Sequence, residues 1–478
     1  MKKVLFVSSE IYPLIKTGGL ADVCGSLPPA LQELGTDVRL LMPNYQSIKT
    51  TEDIYYKSTI QVNRMDVNIL ETRLPGTQVV VWLVDYPTFF DFPGNPYVDE
   101  KGESWLNSAD RFALLCRVAV EVAMNRGYLD WEPDIVHCND WQTGLIPAFL
   151  SLETHRRPAT VFTIHNMAYQ GLFSKETSRL LNIPRELWHL NGLEFNGFFS
   201  FIKGGLAYAD CITTVSPTYA DEIQTAEFGY GLEGLLSHRK EDLIGIINGI
   251  DAEHWNPKTD THIVAPYDSS TLSKKQLSKS ALQARMALPV DNKVPVFTLI
   301  SRLVEQKGID LILDCLPEML TLPVQFILLG SGDKAFEQQL TDFAKQNPEK
   351  MAVTLGYDEI LAHQLEAGAD VFLMPSRFEP CGLNQLYSQR YGTVPIVRKT
   401  GGLADTVCDA LPETFVNKTA TGFVFNDATA GALMEAIKRS VLVYGFSELW
   451  SQLQFNGMQK DYSWLRSAKE YQSLYERL

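Results

Sequence analysis

A chain of 478 residues exceeds what one ordinary hydrophobic core serves and predicts two or three domains. With 45% apolar and 21% charged residues it can bury large cores, which excludes a disordered chain; no run approaches the roughly 18 apolar residues of a membrane span. A formal charge of −15 argues against nucleic acid and anionic membranes as partners, so any phosphate it binds needs a local basic pocket. Seven scattered cysteines without a C-x-x-C pair predict reduced thiols in the cytoplasm.

The apolar run 4–9 reads as a buried first strand and not as a signal peptide, because it is short and is closed off by Glu10 and Lys16. Then comes Lys16-Thr-Gly-Gly-Leu-Ala-Asp22, a heptapeptide that recurs at 399–405. Each copy follows a β-branched stretch and leads into a helical pattern. A strand, a paired-glycine turn and a helix aim free N–H groups forward, a ready anion site. The phosphate-binding reading belongs to the first copy, where Lys16 precedes Gly18 and Gly19; the second is read as a helix start.

Further strands are predicted at 38–42, 79–84, 135–137, 160–164, 212–215 and 243–247, with a long helix at 107–126. Three strand ends carry polar clusters: His137-Cys-Asn-Asp140-Trp141, Thr163-Ile-His165-Asn166 and Ile247-Asn248-Gly249-Ile250-Asp251. Polar groups gathered at one sheet edge need partners or ligands. A formal G-x-G-x-x-G at 229–234 follows a helical stretch at 219–228 and not a strand, so it is read as a loop.

The polar segment 258–288 holds no strand pattern, and the domain junction is placed at 251–257. Strands resume at 294–300, 325–329, 352–355, 371–374 and 394–397, with helices at 309–320, 333–346, 359–368 and 383–391. This βαβ rhythm predicts an α/β protein of two doubly wound domains, 1–255 and 256–478. The aromatic, amphipathic tail after 447 either completes the second domain or crosses back to the first.

The strand end Ser301-Arg302-Leu-Val-Glu-Gln-Lys307-Gly308 delivers a planar fork and a point charge, a pairing suited to a diphosphate. Glu379, set between prolines and glycine ahead of a helix, lies beside the N–H groups of Gly382 and Leu383, which suits sugar hydroxyls. A helix-dipole role for Glu379 fits equally well on these residues alone. No D-x-D, no G-x-x-x-x-G-K-[ST] and no H-E-x-x-H occurs.

Taken in order, these pieces, with Gly192-Leu-Glu-Phe-Asn196, Val215-Ser-Pro-Thr-Tyr219 and Pro375-Ser-Arg-Phe-Glu379-Pro-Cys-Gly-Leu383, make the chain resemble the bacterial glycogen synthases and plant starch synthases that use ADP-glucose. The resemblance covers essentially the whole length, and the lack of a transit-like extension favours the bacterial branch. It implies a GT-B fold, two Rossmann-like domains facing across a deep cleft. It implies a retaining glucosyltransferase that adds α-1,4-linked glucose from ADP-glucose to the non-reducing end of glycogen or maltooligosaccharides, releasing ADP, with no metal or other cofactor.

By position, the resemblance makes Arg302 and Lys307 the diphosphate clamp, joined by Lys16 and the Gly18 and Gly19 amides. It makes His165 and Asp140 contacts to the glucosyl ring, with Asn166, Asn248 and Trp141 nearby, and Glu379 a ligand for sugar hydroxyls with Gly382 and Leu383. Tyr97, Tyr357 and Asn384 become adenosine neighbours, and Asp22 touches donor or acceptor. Many retaining GT-B members carry a second Glu eight positions after the first; here that residue is Tyr387, which leaves the ribose contact open. With no convincing second carboxylate, the expected chemistry is same-face attack, with the leaving diphosphate taking the incoming hydroxyl's proton. Rival readings are a related transferase using UDP-glucose or a small acceptor, and an inactive glucan-binding protein.

Overall fold

The computed structural model describes residues 1–48, 50 and 52–478. The chain forms two compact units, Met1–Gly249 together with Trp464–Leu478, and Ile250–Ser463. The division falls at Gly249/Ile250, ahead of the expected 255/256.

The strands of the first unit are, in chain order, β1 (Lys3–Val7), β2 (Asp37–Pro43), β3 (Tyr55–Val62), β4 (Met65–Arg73), β5 (Val80–Asp85), β6 (Ile135–Asn139), β7 (Ala159–Ile164), β8 (Leu172–Phe173), β9 (Glu194–Phe195), β10 (Phe198–Ser200), β11 (Cys211–Thr214) and β12 (Leu243–Gly245). Nine of them form one sheet in the order β12-β11-β7-β6-β1-β2-β5-β4-β3, while β8, β10 and β9 make a small separate sheet. Pairing is parallel from β12 to β5 and antiparallel at β5/β4 and β4/β3. Val4–Val7 are fully buried because helices cover both faces of the central strands. The β3/β4 hairpin was not expected from sequence: its strands bury one face only, so polar residues alternate through them.

The terminal helix Trp464–Arg477 belongs to this first unit. It buries Trp464, Tyr471, Leu474 and Tyr475. Ser467 Oγ donates to the Ile247 carbonyl at 2.6 Å, and Gln472 Nε2 to that of Leu34 at 2.9 Å.

In the second unit β13 (Val296–Leu303), β14 (Gln325–Gly332), β15 (Met351–Leu355), β16 (Val371–Met374), β17 (Val394–Arg398) and β18 (Phe423–Phe425) form an all-parallel sheet in the order β15-β14-β13-β16-β17-β18. Helices Ile309–Met319 and Ala430–Tyr444 pack on one face, and Lys275–Arg285 and Glu359–Gly368 on the other. The polar segment 258–288 thus contributes a helix, Lys275–Arg285, and two of its lysines are buried, Lys275 and Lys279, the latter paired with Asp370 at 2.7 Å.

The order of strands reverses between β1 and β6 in one sheet and between β13 and β16 in the other. Such switch points open a crevice at the carboxyl ends of the strands. The polar clusters at 137–141, 163–166, 301–308 and 375–383 leave one of these strands or the adjacent β7, whereas 247–251 follows β12 at the edge of the first sheet.

Candidate active site

In the first unit β1 runs into Ser8-Ser9-Glu10. Glu10 is buried, and its Oε2 accepts the Thr17 N–H at 2.5 Å. Burial pushes its pKa up, and the Thr17 and Gly18 amides oppose that. The carboxylate therefore ties down the start of the first paired-glycine turn. Lys16 is half-exposed and held by Asp22 at 2.7 Å, one turn into the helix Gly19–Glu33. Among the described residues no side chain caps this helix, and a Cβ on Gly18 or Gly19 would meet nothing within 4 Å.

The second heptapeptide is used differently. Gly401, at φ +42°, approaches Glu379 so closely that a Cβ would lie 2.0 Å from the Glu379 carbonyl oxygen; one on Gly402 would lie 2.2 Å from that of Cys381. The Gly402 N–H donates to the carbonyls of Glu379 and Pro380 at 3.2 and 3.1 Å. This copy is a buttress for the Glu379 loop.

At the end of β6, Asp140 adopts φ +58° and is buried. Its Oδ1 accepts the His165 N–H at 2.9 Å, and its own N–H donates to Thr163 O at 2.9 Å. Burial pushes its carboxyl up to about 7, although the His165 and Asn166 amides favour the charged form. Asn139 donates to Val7 O at 3.1 Å, so its Oδ1 accepts from His165 Nε2 at 3.0 Å. Nε2 therefore carries a proton, and burial, which lowers the ring's pKa to about 3, keeps it neutral. Asn139 and Asp140 together lock the His165 backbone and ring.

Asn248 is buried, with an Oδ1 that has no partner among the described residues. Asn166 turns its Oδ1 to the Ala168 N–H at 3.0 Å. Trp141, Tyr169, Phe195 and Tyr230 line a groove, and Gly171 at φ +60° lets the chain pass against Trp141, where a Cβ would clash at 2.2 Å. His137, by contrast, points into the core between Tyr475 and Thr163, both at 2.6 Å. Tyr97, grouped by sequence with Tyr357 and Asn384, belongs to the first unit, where its hydroxyl lies 2.9 Å from Ser9 Oγ and next to Glu10.

The G-x-G-x-x-G stretch is a turn with Tyr230 and Gly231 at positive φ, whose last residues begin the short helix Glu233–His238. The preceding helix ends at Glu222, short of the expected 228.

In the second unit, Lys307 Nζ lies 2.5 Å from Glu379 Oε2, which also accepts from Ser376 Oγ at 3.0 Å. Both contacts use Oε2. Gly308 at φ +70° makes the approach possible, since a Cβ there would sit 2.2 Å from Pro375 O. The β13 and β16 loops are further joined by Arg377 N to Gln306 O at 2.8 Å. Arg302 is exposed and makes no ion pair among the described residues. Gly382 at φ +74° and Leu383 precede the helix Asn384–Arg390. Asn384 Nδ2 donates to Ile300 O at 2.7 Å, and Tyr357 is exposed. Tyr387 stacks on Trp255 with ring centroids 4.1 Å apart.

Glu10 was missed as a site-shaping residue. Its signal was a carboxylate directly after the first buried strand. The pairing of Asp140 with His165 joins two strands and had no local signal.

A family model of the starch synthase catalytic domain matches residues 3–238, and one of the group 1 glycosyl transferases matches residues 282–443. The chain is 56% identical to glycogen synthase 1 of Methylococcus capsulatus, covering 99% of this chain and 96% of that one. It is 52% identical to the glycogen synthase of Cellvibrio japonicus over the full length of both. The catalytic domain of starch synthase IV from Arabidopsis thaliana, solved with ADP and acarbose, superposes with a TM-score of 0.89 at 32% identity, covering 100% of this chain and 99% of that one. Sucrose-phosphate synthase from Thermosynechococcus elongatus, at 16% identity and a TM-score of 0.59 with the same coverage, shares the fold alone. Two doubly wound sheets with polar and cationic strand ends, and identity of about half along the entire chain, converge on one conclusion: the chain belongs to the glycogen synthase family, the GT-B glucosyltransferases of glycogen biosynthesis.

Proposed function

We propose that the protein transfers glucose from ADP-glucose to the non-reducing end of an α-1,4-glucan, with release of ADP and retention of configuration. The observation that carries this reading is the Arg302, Lys307 and Glu379 arrangement. Glu379 is held by Lys307 and Ser376 through one oxygen, so the other can accept sugar hydroxyls beside the Gly382 and Leu383 amides. Arg302 is left for phosphate. Negative charge grows on the departing diphosphate in the transition state, so fixed cations stabilise that state over the ground state. Lys16 and the Gly18-Gly19 turn, where a phosphate meets no Cβ, are likewise assigned to phosphate.

His165 is assigned to the glucosyl ring through its main chain, which Asp140 orients. A ring with a pKa near 3 is a poor base at neutral pH. The proton of the attacking hydroxyl therefore passes to the departing phosphate oxygen, on the face where the new bond forms. The aromatic groove at Trp141, Tyr169, Phe195 and Tyr230 suits the apolar faces of a glucan, and the ADP and acarbose of the Arabidopsis enzyme support this donor and acceptor.

Glucose incorporation into glycogen from ADP-glucose and from UDP-glucose, each with EDTA present, tests the reading. Transfer from ADP-glucose is expected under chelation. Preference for UDP-glucose would overturn the donor, and transfer from neither would overturn the function. An isolable glucosyl adduct on Glu379 or Asp140 would overturn the same-face mechanism.

A further inference from the structure

The helix Glu359–Gly368 places Glu359 and His363 four residues apart, on one face. His254 stands opposite, with its Nε2 3.1 Å from Glu359 Oε1. One donor atom from each of His254, Glu359 and His363 lies within 4.8 Å of the others. Two of these side chains are exposed, while His363 is fully buried.

His363 is prepared as ligating histidines are. Its Nδ1 lies 2.8 Å from Asp260 Oδ2, and Asp260 is itself buried and accepts from the Tyr391 hydroxyl at 2.6 Å. A carboxylate on one ring nitrogen fixes the tautomer and raises the basicity of the other. That other nitrogen, Nε2, is buried and has no hydrogen-bond partner among the described residues. The ring cannot rotate freely, because Trp255 stacks flat on it at 4.0 Å and 5°. A buried, oriented imidazole with an unpartnered nitrogen, its ring 4.9 Å from that of His254, is costly unless something binds it.

We propose that His254, Glu359 and His363 bind a divalent transition-metal ion of the zinc type, with Asp260 as the positioning residue. Imidazole nitrogens select such ions over magnesium or calcium, which take oxygen ligands. Ligand atoms around tetrahedral zinc sit about 3.3 Å apart, from metal–ligand distances near 2.0–2.1 Å. The exposed His254 and Glu359 side chains close that difference by rotation, while His363 stays fixed. The site takes no part in the transfer step. The bound ion pins His363 beneath Trp255, whose other stacking partner is Tyr387.

The test is equilibrium dialysis of the chelator-treated full-length protein against Zn2+, with His254→Ala, Glu359→Gln and Cys408→Ser variants alongside. The His254 and Glu359 changes sit on exposed side chains, so folding survives them. Wild type and the Cys408 variant are expected to bind one ion per chain. The other two are expected to bind at least about tenfold more weakly. Co2+ in place of Zn2+ is expected to give the intense visible bands of a tetrahedral site without sulfur charge-transfer absorption. Equal affinity in wild type and His254→Ala, loss of binding in Cys408→Ser, or no stoichiometric Zn2+ would overturn the proposal.

Discussion

At the scale of single residues, the two cations after β13 differ in what else they hold. Arg302 is exposed and, among the described residues, free of ion pairs, whereas Lys307 neutralises buried Glu379 at 2.5 Å. Arg302→Ala is therefore the clean test of the clamp: turnover is expected to fall about 10²–10³-fold with thermal stability unchanged, read by kcat and by melting temperature. Lys307→Ala is expected to lose activity and stability together, since removing one partner strands a buried charge. Asp140 and the core histidines pull stability in opposite directions with pH. The Asp140 carboxyl rises from 3.8 to about 7, so its contribution is full below about 4 and is lost as pH rises through 7. His165 and His137 fall from 6.5 to about 3, so theirs is full above 6.5 and is lost as pH falls towards 3. Buried Glu10 and Glu366 are raised as Asp140 is, so the pH dependence is a sum of opposing groups. In Asp140→Asn one carboxyl that loses stability with rising pH is gone, and between about pH 4 and 6.5 the melting temperature is expected to rise more, or fall less, than in the wild type.

At the scale of elements, one heptapeptide serves two ends. The same seven residues leave space around the Gly18 and Gly19 Cα atoms at 16–22 and pack against a loop backbone at 399–405. Gly401→Ala is expected to displace the Glu379 loop, costing about 1–3 kcal/mol and most of the activity, while Gly18→Ala leaves the melting temperature unchanged. Matching melts would show that the second copy is no buttress. The difference was invisible in the local pattern, which is identical in both copies; it depends on what lies in front of each turn. The strand ends themselves were legible, because buried β-branched runs announce where each strand stops. The β3/β4 hairpin was not, because half-exposed strands dilute the apolar signal.

At the scale of the whole molecule, the first unit is discontinuous in the chain. Its closing helix arrives from residues 464–477, and Tyr475 supplies the hydrogen bond that satisfies His137 across a separation of 338 residues. A fragment of residues 1–249 is expected to lack a cooperative melt, and linking 464–478 to it is expected to restore one, as calorimetry would show. Tyr475→Phe leaves a buried imidazole nitrogen unpaired and is expected to cost about 1–3 kcal/mol. The alternation of buried strands and amphipathic helices, and the polar residues at each strand end, were written in the amino-acid order, since short-range periodicity and turn chemistry depend only on neighbours. The tertiary structure alone decided that Asp140 holds His165, that Glu10 holds the first glycine turn, and that the tail belongs to the first unit. Those pairings come from burying distant segments against one another, and no local pattern encodes which buried polar group will meet which.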